Sequence, residues 1–158
     1  MKQFRIIIIA IVLVFLSACE AGTQEPTETS PALNFSPKIS MFEEGKVQIE
    51  LGISNTSNRV SPAIEDANIR MIVTNKEGKI RNQMTIVEIQ EIDADEVIYP
   101  LVYEAVYEMG AYTLSMTGNG IESLSIDIEI RKIGGIRKLA APSRYIEPFT
   151  EFTIGLQD

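Results

Sequence analysis

Apolar and polar residues alternate along most of this chain with the period of a β-strand. From Lys46 to Ser54, Val47, Ile49, Leu51 and Ile53 are separated by Gln48, Glu50 and Gly52, which sets four aliphatic side chains on one face and predicts a half-buried strand. Asn68 to Thr74 repeats the pattern with Ile69, Met71 and Val73. Asn75-Lys76-Glu77-Gly78 then predicts a hairpin turn closed by Gly78 at positive φ, with Lys79 to Gln83 returning beside it. Val97 to Tyr107 places Leu101, Tyr103, Ala105 and Tyr107 on one face against Val102, Glu104 and Val106 on the other. Pro100, which cannot donate to a ladder, must lie near the start of that strand or on an edge. Ala111 to Thr117 carries Tyr112, Leu114 and Met116, Gly118-Asn119-Gly120 turns, and Ser123 to Ile130 points Leu124, Ile126, Ile128 and Ile130 inward. Met84 to Glu96 fits a short helix through Ile86, Ile89 and Ile92 and a strand through Val87 and Ile89; strand is the preferred reading. About seven short strands with turn signals between them, and no long amphipathic helix, predict an all-β sandwich.

The first residues break this pattern. Lys2 and Arg5 precede an uninterrupted apolar run from Ile6 to Phe15, followed by Leu16-Ser17-Ala18-Cys19. The run is shorter than the roughly 20 residues that cross a bilayer and has the charged, apolar and small-residue regions of a signal peptide. Leu16 to Cys19 resembles the lipobox of bacterial lipoproteins. That resemblance implies removal of residues 1–18, with Cys19 as the first mature residue and its thiol carrying a diacylglyceryl group, whose two chains hold stably in a membrane. It implies a lipid-anchored place on the extracytoplasmic face of the cell membrane. Glu20 stands where an Asp would resemble an inner-membrane retention signal, so sorting to an outer membrane is open in a host that has one. The stretch up to Pro37, rich in Thr, Ser, Pro and Glu, reads as a flexible tether over 19–37 with a reach of roughly 20–25 Å. The folded domain is expected over 38–158.

Composition removes several function classes. The leader takes two of the 14 basic residues and none of the 22 acidic ones, leaving 12 against 22 and a mature net charge of −10. That balance argues against nucleic acid as a partner and against flat contact with anionic headgroups. The chain has no histidine, and its only cysteine is the one expected to be lipidated, so the commonest general base, the thiolate nucleophile and the commonest transition-metal ligands are missing. Neither a nucleophile elbow nor a glycine-rich phosphate loop is present. The chain is therefore not expected to be an enzyme, nor to need a cofactor. Glu88, Glu91, Asp93, Asp95 and Glu96 cluster, but Asp93-Ala94-Asp95-Glu96 lacks the third acidic position, central Gly and distal Glu of an EF-hand, so a solvated acidic loop is expected rather than a calcium site. The scattered methionines Met41, Met71, Met84, Met109 and Met116 read as core or turn residues rather than copper ligands.

Glu108-Met109-Gly110-Ala111-Tyr112-Thr113-Leu114 resembles the corner that opens the penultimate strand of immunoglobulin-like domains. The resemblance implies a turn at Gly110 and a Tyr112 ring in the core, with its hydroxyl bonded back to nearby backbone. Leu114 stands where antibody domains place a cysteine, so apolar packing would replace the inter-sheet disulfide. The wider stretch from Tyr103 to Ile130 is similar to the YtkA-like and FixH-like families of small extracytoplasmic sandwiches, although the histidines that a copper-handling role would use are absent.

Arg131, Lys132, Arg137 and Lys138 flank Ile133-Gly134-Gly135-Ile136, a local reversal of sign in an acidic protein. These four residues are the candidate contact for a partner or for anionic envelope polymer; the preferred reading is a twisted edge hairpin whose cations discourage strand addition. Tyr145, Ile146, Phe149, Phe152, Ile154 and Leu156 make the tail too apolar to stay in water, so it is expected to pack as a last strand or a strap. The expected role is that of a non-catalytic binding or accessory module for an envelope protein. A small-ligand or metal carrier and an inhibitor of an extracellular enzyme are the alternatives.

Overall fold

A computed structural model describes residues 32–42, 45–147 and 153–156. The leader, Cys19, most of the expected tether, Phe149 and Phe152 lie outside the described residues. From Pro31 onward the chain forms one compact unit, and it is all-β and sandwich-like. The strands are β1 (Leu33–Phe35), β2 (Lys38–Met41), β3 (Lys46–Asn55), β4 (Ile69–Asn75), β5 (Ile80–Ile86), β6 (Val97–Val106), β7 (Gly110–Gly118), β8 (Ile121–Ile133), β9 (Ile136–Pro142) and β10 (Thr153–Leu156).

Pairing separates them into two groups facing each other across one core. In the first, β3 is flanked by β2 and β6, both antiparallel to it. In the second, the order is β5-β4-β7-β8, all antiparallel, continued through β9 to a parallel β10. β1 joins the two groups, pairing antiparallel with β3 and parallel with β8, so the sheet curls round instead of leaving both of those edges open. The period-two residues do what their spacing requires. Val47, Ile49, Leu51 and Ile53 of β3 face Ile69, Met71 and Val73 of β4, Tyr112, Leu114 and Met116 of β7, and Ile126, Ile128 and Ile130 of β8, all buried in one cluster.

Three expectations need correction. Among the described residues there are ten strands rather than about seven, because the tether and tail supply short ones. The folded domain also begins before Lys38: β1 lies inside the stretch read as tether, with Leu33 and Phe35 buried. Its three residues are too few to show a period, and their partners are remote in sequence. Met84 to Glu96 divides. Met84 to Ile86 ends β5, and the rest is a loop held by isolated bridges from Ile89 to Ile64 and from Ile92 to Ser61.

Two local devices fix the frame. Gly52 of β3 lies where β1 crosses: the Ser36 amide donates to its carbonyl, and a Cβ at this position would overlap the Ser36 carbonyl oxygen. Across from Gly52, β6 carries an extra residue, a bulge at Tyr99-Pro100 between the pairs Leu51–Leu101 and Ile53–Ile98. Pro100 therefore sits where no ladder donor is required. At the end of β3, the side chain of Asn55, 1% exposed, donates to the carbonyls of Arg59, Ile92 and Asp93 and accepts from the amide and hydroxyl of Ser57. One buried amide thus pins two loops, which satisfies its own polar atoms at the same time.

Candidate functional site

Among the described residues, the register places the turns and loops between β2 and β9 at one of two ends. Leu33 pairs with both Asn55 and Ile121, and Ser54 with Val97. The chain therefore comes into the sandwich beside the loops that follow β3 and β5 and the turn before β8; this is the near end. At the far end lie the β2–β3 turn, the Asn75–Gly78 turn, the corner from Tyr107 to Gly110 and the β8–β9 hairpin.

That hairpin outruns the sheet. β7 stops pairing at Gly110 with Ile130, whereas β8 continues with β9 through Arg131–Lys138, Lys132–Arg137 and Ile133–Ile136. Gly134 and Gly135 turn the chain with φ of +60° and +88°, the double left-handed geometry of a two-residue hairpin loop that glycine adopts without steric cost. Directly paired residues share a face. Arg131, Lys138, Ile133 and Ile136 therefore lie on one face, Lys132 and Arg137 on the other. Ile133 and Ile136 at the tip are 43% and 50% exposed.

The four basic residues do not act as one patch. Arg131 is engaged by Glu129, its Nε and a terminal nitrogen donating to one carboxylate oxygen at 2.8 and 2.6 Å, and the carboxylate raises its pKa further. The stem of Arg137 lies over Gly45 in the β2–β3 turn, where a side chain on residue 45 would crowd it. Lys132 and Lys138 make no ion pair among the described residues, and they point to opposite faces. β10 covers β9 from Leu139 onward, so only the tip of the hairpin has a free edge.

The corner residues meet as their spacing implies. The Tyr112 hydroxyl donates to the Glu108 carbonyl at 2.9 Å, and Gly110 takes φ +148° in the turn between them. The Tyr112 ring is buried and lies 5.0 Å from that of Tyr107, tilted by 56°, a favourable aromatic arrangement. Tyr107, whose role the chain does not announce, is 2% exposed, and its hydroxyl, buried beside Tyr103, makes no hydrogen bond of good geometry. Burial, and then the neighbouring Tyr103, push its pKa well above the ordinary phenol value.

Elsewhere the surface offers shallow chemistry. A groove of about 480 Å³ runs over β4, β7 and β8, where the Thr113 hydroxyl donates to Asp127 at 3.0 Å. A second, of about 500 Å³, lies between the loop after β5 and the start of β6, lined by Ile86, Ile89, Ile98, Tyr99 and Pro100. The acidic residues from Glu88 to Glu96 are exposed at the near end. There Glu96 accepts from the Asp93 amide in a tight turn, with Asp95 at φ +57°. Among the described residues no three carboxylates converge as a metal site needs. No family model matches the chain, and no curated protein matches it.

Proposed function

We propose that the chain is a bacterial lipoprotein whose leader is removed before Cys19. The diacylglyceryl group on Cys19 holds the all-β domain on the extracytoplasmic face of the membrane, where it serves as a non-catalytic binding or accessory module for another envelope protein. The lipobox supports the anchor. The observation that carries the binding role is the β8–β9 hairpin, which runs past the sheet and leaves two isoleucines in water between basic side chains. An exposed aliphatic tip costs solubility and gains nothing for the fold, whereas a protein partner would bury it at the centre of a contact with a charged rim.

Two measurements test the two halves. Cys19→Ala should move the protein from the membrane fraction to soluble or unprocessed forms; an unmodified Cys19 in the mature protein by intact mass would rule out the anchor. Chemical crosslinking of the anchored protein in its own cells should give one reproducible adduct with an envelope protein, and monomer alone would rule out the module. The groove at Ile86, Ile89 and Ile98, which Glu88, Gln90 and Glu91 also line, supports the second reading, a carrier of a small ligand, since its volume lies in the range of ligand pockets.

A further inference from the structure

The curl of the sheet closes on one side only. β1 bridges the two groups between β3 and β8, whereas on the other side, among the described residues, β5 pairs with β4 alone and β6 with β3 alone. A strand with a single neighbour leaves the N–H and C=O groups along its other side without a ladder. Burial follows the same gap. The inward rows of β3, β4 and β7 are buried, but Leu101, Tyr103 and Ala105 of β6 and Met84 and Ile86 of β5 are only half-buried against the core.

The two edges differ in chemistry. β5 turns Arg81, Gln83 and Thr85 outward and Asn82 inward, the polar and charged residues that protect an edge. β6 has no basic residue from Val97 to Val106, and its one charge, Glu104, is paired with Lys46. Val102 and Val106, on either side of Glu104, are 53% and 63% exposed. Pro100 has no N–H to donate, so the usable edge runs from Leu101 to Val106. At Pro100 this edge meets the groove of about 500 Å³, walled by Ile86, Ile98 and Tyr99 and lined by Glu88 and Glu91 with no basic residue. Lys38 of β2 is engaged over the Tyr99 ring, 4.4 Å from its centroid.

We propose that β6 receives an extended segment of a partner protein as an added strand along Leu101–Val106, and that a lysine or arginine of the same segment lies in the groove at Glu88 and Glu91. Main-chain bonds supply the pairing. Alternate apolar side chains of the segment cover Leu101, Tyr103 and Ala105 on one face and Val102 and Val106 on the other. The charge of the groove selects the partner: a second β6 laid against the first brings no cation to Glu88 and Glu91, whereas a basic segment of another protein does. This contact is apart from the β8–β9 hairpin, and neither needs the other.

The test uses the full-length protein purified in mild detergent and a short labelled peptide of alternating valine and threonine flanked by lysines at both ends. The peptide should bind saturably and slow hydrogen exchange at those amides of Leu101–Val106 that β3 leaves unpaired, with no change along Ile80–Ile86. N-methylation of alternate peptide amides should abolish binding, because the ladder is lost. Replacing its lysines by glutamates, or Glu88→Gln together with Glu91→Gln in the protein, should weaken binding at least about tenfold. Equal binding of the N-methylated peptide would overturn strand addition, protection along β5 would overturn the choice of edge, and indifference to the glutamates would overturn the basic partner. Exchange at those β6 amides that is already slow in the free protein would show the edge covered, by a second copy if it quickens on dilution and by the chain itself if it does not; either would overturn the site. Absence of binding would overturn it too, while the hairpin contact stands or falls by its own crosslink.

Discussion

The packed middle of the sandwich and the hairpin that extends beyond it are built from the same strand β8, yet they obey opposite rules. Ile126, Ile128 and Ile130 are all buried, the first two opposite Leu114 and Tyr112 of β7 and the last opposite Gly110. From Arg131, the pairing continues with β9 alone and residues 131–137 are exposed. Backbone pairing is thus kept where packing is not. A hairpin held by its own ladder, two glycines and the stem of Arg137 over Gly45 contributes little to the stability of the domain, so the residues on it are free to be chosen for contact.

This contrast sets an order of expected effects. The largest belongs to Gly52→Val: with the Ser36 carbonyl and the Tyr99 ring in the way, β1 cannot pair with β3. The loss should be at least about 3 kcal/mol, read as a drop in urea midpoint, and an unchanged midpoint would show that the crossing yields. Tyr112→Ala should cost about 3–5 kcal/mol as a buried aromatic is removed. A melt like that of the unsubstituted protein would place the corner outside the core.

The two adjacent tyrosines sharpen the point. Tyr112→Phe deletes a hydrogen bond to Glu108 and should cost about 0.5–1.5 kcal/mol, whereas Tyr107→Phe removes a buried hydroxyl without a hydrogen bond of good geometry and should be neutral or stabilising. Because the folded state raises the Tyr107 pKa, its contribution is complete below the unfolded phenol value of about 10 and declines as pH rises beyond it. The alkaline fall in stability should therefore shrink in Tyr107→Phe; an identical alkaline limb in both proteins would contradict the burial of that hydroxyl. The smallest effect is expected at the hairpin. Lys132→Glu with Lys138→Glu should change stability by no more than about 0.5 kcal/mol, and a loss above about 2 kcal/mol would mean that the hairpin supports the fold after all.

Much of the fold was legible because single strands announce themselves. β3, β4, β7 and β8 each carry a clean alternation, and the Asn75–Gly78 turn and the Gly134-Gly135 turn carry their own chemistry. The Glu129–Arg131 pair was also open to reading, since residues two apart on a strand share a face. What escaped was everything that depends on strands remote in sequence. β1 is too short to show a period and is held between β3 and β8, whereas the apolar tail did announce a last strand, β10, and only its parallel pairing with β9 was hidden. Arg137 meets Gly45 only because the β2–β3 turn and the hairpin reach the same end. The basic residues could be listed from the chain; that β5 and β6, among the described residues, each keep one free edge requires the register of the whole sheet.

The parallel pairing of β1 with β8 has a mechanical consequence. A protein held at its amino-terminal side and gripped at the hairpin is pulled along the long axis of β8, with β1 drawn one way and β8 the other. Bonds across two strands that run side by side in the same sense are then loaded in shear, so those of Leu33 and Asn34 must give together rather than one after another, as they would if the strand were peeled from its end. β1 is short, but it is positioned as a clasp: the segment that brings the chain into the domain is also the one that resists being drawn out of it.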